Sequence, residues 1–314
     1  MATDLVERKN LLNRIDARAR LTGFNKMEIL LFSLGTRETF GINVLKVREV
    51  GRVPHITRAP NMPKGVEGLV SLRGNVIPVL SIANFLEHQN EPVKFEKTMM
   101  VVEYSKRMLG FLVNAVDRIV RVDWEKVRVP ESVFTPNSGL ISAVTELENG
   151  TLVSLLDVEH ILYNAFGEAV IANLPKIQLS EETGVFFVDD SVVARKKIAE
   201  VLDMQGIKHK HASNGMEAWN RLQRLAMYAK QTGIPLRNEV GLILVDAEMP
   251  EMDGYALTKN IKADTRFGEI PVVMHSSLSS EANRAMGQSV GADAYVAKFD
   301  PEELANTLRQ WLER

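Results

Sequence analysis

Acidic, hydroxyl and basic side chains lie at the ends of four short apolar segments in the C-terminal part of this 314-residue chain. Asp189 and Asp190 end the first segment, Asp246 the second, Ser276 the third and Lys298 the fourth. Each segment has three or four consecutive apolar residues, which is typical of a buried strand. In an open parallel sheet, groups just past the carboxyl ends of the strands meet in one crevice. We therefore predict that these side chains share one site.

Three carboxylates in one crevice favour a divalent cation, because neighbouring carboxylates resist joint ionisation and a hard cation removes that penalty. Mg²⁺ typically uses one or two carboxylates, several waters and a phosphate oxygen. A remaining carboxylate can then attack phosphorus and form an aspartyl phosphate. A lysine and a hydroxyl near the phosphoryl oxygens supply the positioning and charge neutralisation that phosphoryl transfer needs. The set predicts a site for Mg²⁺ and a phosphoryl group.

Each of these residues has a simpler interpretation when it is taken alone. An isolated Asp is more often a loop acid or a helix cap, an isolated Ser a cap and an isolated Lys a solvated cation. Because such side chains occur at the ends of all four predicted strands, the shared site is favoured over these separate interpretations. His209 and His211 flank a predicted edge strand but have no Cys or acidic partner at metal-ligand spacing, so we assign them no role.

Residues 183–314 resemble the response-regulator receiver domain, and the matching stretches are 187–191, 245–254, 274–277 and 295–298. The resemblance implies an α/β flavodoxin-like fold, with a five-stranded parallel sheet in the order 2-1-3-4-5. Its first helix is predicted over 191–205, with Gly206 as the C-terminal cap. Residues 226–239 are predicted to extend the next helix and add a loop. The family usually has proline after the lysine, whereas Phe299 follows Lys298 here and Pro301 comes two positions later.

The resemblance also implies the acceptor and the metal ligands of the site. Asp246 would be the phosphoacceptor. Asp190 and Asp246 would bind Mg²⁺ together with the backbone carbonyl of Glu248, and Asp189 would support the acidic pocket.

The same resemblance implies that three further residues bind or respond to the phosphoryl group. Lys298 would contact the acceptor carboxylate and the phosphoryl group. Ser276 would follow a phosphoryl oxygen when the domain switches, and Tyr295 would be the aromatic side chain that changes rotamer with it.

The N-terminal half has short predicted strands separated by polar turns, which favours a barrel or a sandwich. The strands are predicted at 29–34, 76–80, 98–104, 108–113, 118–122 and 151–155. Asn149-Gly150 between apolar runs is a strong hairpin signal. Residues 40–50, 58–60 and 64–79 resemble the CheW-like chemotaxis coupling domain. This all-β fold of two small five-stranded barrels docks on chemoreceptor tips and on the histidine kinase CheA.

Two residues of this half are candidates for partner binding. Arg73 follows an apolar strand at a predicted hairpin tip, where a planar guanidinium can pair with partner carboxylates. Glu49 ends an apolar-periodic stretch and can face a basic group. For each, a salt bridge within the domain is an open alternative.

Composition excludes several other classes of protein. The net charge of −2 gives no argument for a nucleic-acid partner. The chain has no cysteine, which excludes disulfides, thiolate catalysis and thiolate metal sites and fits a reducing cytoplasm. No segment approaches the ~20 apolar residues that a membrane span needs, so we expect no direct membrane insertion. We predict an amphipathic helix at 1–25, a coupling domain at 26–165, a linker at 166–182 and a receiver at 183–314.

The two halves together resemble CheV, a family in which a coupling domain is fused to a receiver. The implied function is that of a non-enzymatic chemotaxis adaptor, which is regulated by Mg²⁺-dependent phosphorylation of Asp246 within a two-component phosphorelay. We expect it in the cytoplasm, recruited to membrane-associated receptor arrays. Two alternatives stay open: a phosphate sink that drains CheA and hydrolyses its own phosphate, and a constitutive scaffold with a non-signalling receiver.

Overall fold

The computed structural model describes residues 26–63, 65–85, 98–104, 107–129, 140–167, 174, 176–177, 183–277, 281–298 and 300–313. The chain divides into two compact units, residues 1–168 and 169–314. The predicted N-terminal helix, most of the predicted linker and Phe299 lie outside the described residues.

The first unit contains two five-stranded sheets. One sheet has the order β8-β1-β2-β10-β9 and the other the order β3-β6-β7-β5-β4. The strands are β1 (Lys26–Ser33), β2 (Thr39–Asn43), β3 (Val47–Arg52), β4 (Val66–Leu72), β5 (Asn75–Ser81), β6 (Thr98–Tyr104), β7 (Arg107–Val113), β8 (Ala115–Asp123), β9 (Ile141–Glu146) and β10 (Leu152–Leu156). Short 3₁₀ turns occupy Val44–Lys46, Ile82–Phe85 and Trp124–Lys126, and helix α1 (Val158–Phe166) follows the last strand.

Tight turns fix the strand pairing in this unit, as their sequences predicted. Strands β9 and β10 pair antiparallel around the turn that contains Gly150, whose φ is 79°. Strands β4 and β5 are joined by Arg73 and Gly74 alone, with φ values of 50° and 85°. A two-residue connection with positive φ at both positions matches the right-handed twist of the flanking strands. Both predicted hairpins are therefore confirmed.

The second unit is a five-stranded parallel sheet in the order β12-β11-β13-β14-β15, as predicted. Its strands are β11 (Gly184–Val188), β12 (Lys208–Ala212), β13 (Leu242–Val245), β14 (Val272–Ser276) and β15 (Ala294–Ala297). Its helices are α2 (Val192–Gln205), α3 (Gly215–Thr232), α4 (Leu236–Glu239), α5 (Gly254–Ala263), α6 (Glu281–Ser289) and α7 (Pro301–Leu312).

Hydrophobic cores cover both faces of this sheet, because alternate residues of each strand point to opposite faces. Phe186 packs with residues of α3 and α5 in one core. Phe187 packs with residues of α2 and α7 in the other. The continuous apolar character of β11 follows from burial on both faces.

Sequence signals at the helix ends are confirmed. The Ser191 hydroxyl accepts a hydrogen bond from the N–H of Ala194 and caps α2, which ends at Gly206 with φ 70°. The Asp300 carboxylate accepts from the N–H of Glu303 and caps α7, with Pro301 as its first residue. Helix α3 extends to Thr232, and the predicted loop after it contains the short helix α4.

Part of the predicted linker packs against the second unit. Ile177 is buried in the core formed with α2 and α7, and Leu174 packs at its edge. The backbone N–H of Ile177 donates to the side-chain carbonyl of Gln205, at 2.8 Å. The chain therefore joins the receiver core before the predicted domain start at residue 183.

Among the described helices, none is long and apolar enough to cross a membrane.

Candidate functional site

The parallel ladder brings the chemical groups of four strands to one edge of the sheet. Asp189 and Asp190 come directly after β11, Asp246 after β13 and Lys298 after β15, while Ser276 is the last residue of β14. Ladder hydrogen bonds continue past the strand ends. The N–H of Asp246 donates to the carbonyl of Val188 at 2.9 Å, and the N–H of Lys298 donates to that of Ser276 at 3.0 Å. These backbone hydrogen bonds therefore fix the positions from which the Asp246 and Lys298 side chains extend.

Three carboxylates cluster at this edge around one ammonium group. One carboxylate oxygen from each of Asp189, Asp190 and Asp246 lies within 4.8 Å of the other two. The Lys298 Nζ lies 2.8 Å from Asp189 Oδ2 and 3.0 Å from Asp246 Oδ2. Asp189 is 0% exposed, Asp246 3% and Lys298 2%. The structure thus brings the predicted acids and the predicted lysine into contact.

The charges of these three acids and Lys298, which are buried except for the partly buried Asp190, do not balance one another. Three carboxylates and one ammonium leave an excess of two negative charges when all are ionised (3 − 1 = 2). Each ion loses hydration on burial, and the effective cost is several kcal/mol per ion. Carboxylate oxygens are the ligands that hard cations prefer. The donor set therefore fits a divalent metal ion such as Mg²⁺.

The turn after β11 is held by Arg195, which was not among the predicted site residues. A basic run such as 195–197 is most simply the solvated face of a helix, and Lys196 is indeed exposed. Arg195, by contrast, is half-buried and donates to the carbonyls of Asp189 and Asp190, at 2.7 and 2.9 Å. The N–H of Ser191 donates to Asp189 Oδ1 at 2.9 Å. These bonds orient the two acids, and a basic residue six positions after the first acid was the available signal.

The start of α5 packs directly on the backbone just after β13. A Cβ atom added to Gly254 would lie 1.9 Å from the backbone carbonyl oxygen of Asp246, so only glycine allows this approach. The neighbouring Asp253 carboxylate caps α5 by accepting from the N–H of Ala256 at 2.7 Å. Burial raises the pKa of Asp253 to about 6. The N–H of Glu248 donates to Asp246 Oδ1 at 3.4 Å, which places Glu248 beside the acids.

A row of hydroxyl groups lies beside the acids. Burial raises the pKa of Tyr295 to about 12, and a hydrogen bond with Ser276 partly offsets this rise. The Arg284 guanidinium lies over the Tyr295 ring, 5.1 Å from its centroid, and donates to the Tyr295 carbonyl at 3.1 Å. The predicted switch residues Ser276 and Tyr295 are therefore in contact with each other.

The two predicted partner-binding residues belong to the first unit and contact each other there. Arg73 donates to the Glu49 carboxylate at 2.5 Å, so the salt bridge within the domain, which we had left open, is present. Arg73 stays 79% exposed in this pair, so its guanidinium also faces solvent.

Comparisons with known proteins assign a family to each of the two units. The family described as CheW-like domain matches residues 28–166, and the response regulator receiver domain matches residues 185–309. The fold and the acidic edge thus define a coupling domain joined to a receiver.

Two chemotaxis proteins of one bacterium are similar to this chain over most of its length. Chemotaxis protein CheV3 of Helicobacter pylori is 31% identical over 280 residues, which cover 88% of this chain and 89% of CheV3. CheV1 of the same organism is 28% identical, over 95% of this chain and 97% of its own. The scaffolding protein TtCheW of Thermoanaerobacter tengcongensis is 23% identical, with a TM-score of 0.42, over 48% of this chain and 95% of that structure. The chain belongs to the CheV family of chemotaxis proteins.

Proposed function

We propose that this chemotaxis adaptor couples chemoreceptors to the histidine kinase CheA, and that phosphorylation of Asp246 regulates the coupling. The observation that carries the proposal is the position of Lys298, whose buried ammonium group bridges Asp189 and Asp246. A buried lysine between two acids, with a third acid beside them, is costly for a purely structural role. The same arrangement is suited to holding a phosphoryl group and a cation.

Asp190 and Asp246, with the backbone carbonyl of Glu248, would hold Mg²⁺, and Asp189 would support them. When bound, Mg²⁺ would neutralise carboxylate charge and the charge on the phosphoryl oxygens. The excess of acid over base in the cluster supports this assignment.

Asp246 would accept the phosphoryl group from a phosphohistidine of CheA. A carboxylate oxygen of Asp246 forms the new bond to phosphorus as the phosphorus–nitrogen bond breaks, and the imidazole retains the electron pair of that bond. Lys298 already contacts Asp246 Oδ2 and would compensate charge on the transferred group. Ser276, at the end of the adjacent strand, would donate to a phosphoryl oxygen.

The added charge would act on the rest of the molecule through Ser276 and Tyr295. Drawing the Ser276 hydroxyl toward the phosphoryl group removes it from Tyr295, which must then repack. Phosphorylation changes coupling only to the extent that it favours one of two conformations. The resulting shift would adjust kinase output, as adaptation requires.

The coupling domain would bind the cytoplasmic tips of receptors and the kinase, which would place the protein in the cytoplasm at membrane-associated arrays. Arg73 and Glu49 would contribute to this binding surface. Because Arg73 is largely exposed while paired with Glu49, a partner carboxylate can reach the same guanidinium.

The first test is whether Asp246 accepts a phosphoryl group. We would incubate the full chain with Mg²⁺ and acetyl phosphate and measure its mass, with Asp246→Asn as the control. We expect a base-labile phosphoryl adduct that is absent from the variant and absent without Mg²⁺. No adduct, with acetyl phosphate or with phosphorylated CheA, would instead support a constitutive scaffold.

A further inference from the structure

A third hydroxyl group lies beside the Ser276 and Tyr295 side chains. Tyr255 is the second residue of α5, and its hydroxyl oxygen is buried. This hydroxyl makes no hydrogen bond of good geometry to the described residues, although the Tyr295 hydroxyl is near enough to interact with it. Burial, followed by the proximity of Tyr295 and Glu248, raises the pKa of Tyr255 above its ordinary value. Tyr255 therefore stays protonated and remains a hydrogen-bond donor.

The Tyr295 hydroxyl thus lies within reach of two donors, but the two are not equivalent. Ser276 already makes a hydrogen bond with it, whereas the contact with Tyr255 is only partly formed. A buried donor without a well-formed bond carries a free-energy cost, because its lost hydration is not replaced. A conformation in which Tyr255 completes its bond to Tyr295 would recover part of that cost.

We propose that Tyr255 is a positioning residue for the switch, whose hydroxyl donates to Tyr295 once Ser276 has turned its own hydroxyl toward a phosphoryl group on Asp246. Ser276 and Tyr255 are then alternative donors to one oxygen. In the unmodified protein Ser276 is the donor, and in the phosphorylated protein Tyr255 replaces it. This inference rests on the proposed function, because the exchange requires a phosphoryl group on Asp246.

The exchange has a direct energetic consequence. Without Tyr255, moving Ser276 to the phosphoryl group would leave Tyr295 with one hydrogen bond fewer. With Tyr255, the number of hydrogen bonds is kept and the phosphorylated conformation is favoured. A net hydrogen bond is worth about 1 kcal/mol, so the ratio of the two conformations should change about fivefold. The bond would also join α5 to β15, so that movement of Tyr295 is felt at the start of α5.

Fluorine NMR of the full chain labelled with 3-fluorotyrosine can test this, because the chain has five tyrosines and each resonance can be assigned with a Tyr→Phe variant. We would add Mg²⁺ and beryllofluoride, a phosphoryl analogue, and compare the wild type with Tyr255→Phe. The variant keeps the ring and loses only the hydroxyl. Tyr228→Phe, at an exposed site on α3, is the matched control.

We expect beryllofluoride to shift the Tyr295 resonance in the wild type and in Tyr228→Phe. In Tyr255→Phe the ratio of shifted to unshifted conformer after addition should be about fivefold lower than in the wild type. An equal response in the wild type and Tyr255→Phe would overturn the proposal. If Tyr255→Phe changed the Tyr295 resonance equally before and after addition, the proposal would also be overturned, since Tyr255 would then only support packing. If wild-type Asp246 forms no adduct with acetyl phosphate, the proposed function fails, and this inference fails with it.

Discussion

Lys298 is the residue on which the account of the site depends most. Its ammonium group contacts two carboxylates that are themselves almost fully buried. Removing one member of a buried charged pair typically costs about 3–5 kcal/mol, because the remaining charge is left uncompensated. A divalent cation can supply compensation that the lysine no longer gives.

We therefore expect Lys298→Met to destabilise the second unit by roughly 3 kcal/mol without Mg²⁺ and to recover part of that loss when Mg²⁺ is added. Phosphorylation of Asp246 by acetyl phosphate should slow at least about tenfold, since a donor to the developing charge is lost. Peptide-resolved hydrogen exchange and mass measurement would report the two effects. Lys259→Met, at an exposed position on α5, controls for the loss of a lysine, and equal behaviour of the two variants would contradict the role of Lys298.

Asp253 gives a pH-dependent prediction at the same scale. Burial raises its pKa in the folded protein from 3.8 to about 6. Between about pH 4 and pH 6 the folded chain therefore binds more protons than the unfolded chain, and stability falls as pH rises through this window. Asn keeps the capping oxygen without the charge. Asp253→Asn should thus stabilise the protein above pH 6, by at most about 3 kcal/mol, and make no difference below pH 4.

Urea denaturation at pH 4 and pH 8 would measure this difference. Asp300→Asn is a suitable comparison, because Asp300 caps α7 in the same way but is exposed. A pH profile of Asp253→Asn that parallels the wild type would show that burial of the Asp253 charge does not affect stability.

At the scale of elements, the docked part of the linker is the feature that the sequence did not reveal. Ile177 lies in a segment without sustained periodicity, so nothing local distinguished it from an exposed linker residue. Its burial depends on α2 and α7, which are distant in sequence, and on the bond from its N–H to Gln205. The receiver therefore includes residues that we had assigned to the linker.

Ile177→Asp should destabilise the second unit by roughly 2–4 kcal/mol, because it removes buried apolar area and places a charge against the core. Lys176→Asp changes the charge of the exposed neighbouring residue and should have an effect below about 0.5 kcal/mol. Hydrogen exchange of peptides from α2 would separate the two outcomes. If both variants exchange like the wild type, the linker does not contribute to the receiver core.

The hairpin that carries Arg73 has an unusual residue for its turn. Arg73 adopts a φ of 50°, a conformation that costs a residue other than glycine about 1–2 kcal/mol. Asn adopts it more readily. An exposed salt bridge to Glu49 recovers only about 0–1 kcal/mol. The local structure therefore does not explain why arginine is present, which supports a role in partner binding.

We expect Arg73→Asn to leave the stability of the first unit unchanged or raise it by up to about 1 kcal/mol, while weakening binding to CheA or to receptor fragments. Calorimetric titration and urea denaturation would measure the two quantities. Arg121→Asn is the control. It removes an exposed arginine that pairs with Glu28, and both residues lie on the sheet that does not contain the Arg73 hairpin, so binding should stay intact. Unaltered binding by Arg73→Asn would exclude Arg73 from the interface.

Strands of the first unit were harder to predict than those of the second. Strand β2 was missed because Gly41 interrupts its apolar pattern, yet a Cβ there would come 2.5 Å from the Ile29 side chain. Close packing against β1 requires the glycine that weakens the strand signal. In the second unit, burial of β11 and β13 on both faces gave uninterrupted apolar runs, and their ends located the acids.

For the whole molecule, the order of the chemical groups along the chain was sufficient to predict where the site lies. A parallel sheet brings its strand ends together whatever the intervening helices contain, so Asp189, Asp246 and Lys298 could be placed in one site before any distance was known. The groups that surround them could not be predicted in this way. Tyr255 meets Tyr295 through tertiary packing and belongs to no recognisable local pattern, whereas Arg195 contacts carbonyls five and six residues earlier and only that spacing signalled it.

Phosphorylation of Asp246, we propose, changes how the coupling domain engages its partners. The most direct measurement is the affinity of the full chain for CheA and for receptor fragments, with and without Mg²⁺ and beryllofluoride, in the wild type and Asp246→Asn. We predict that the affinity of the wild type changes on addition and that of the variant does not. An unchanged wild-type affinity, in a protein whose Asp246 accepts a phosphoryl group, would contradict the claim and favour a phosphate sink.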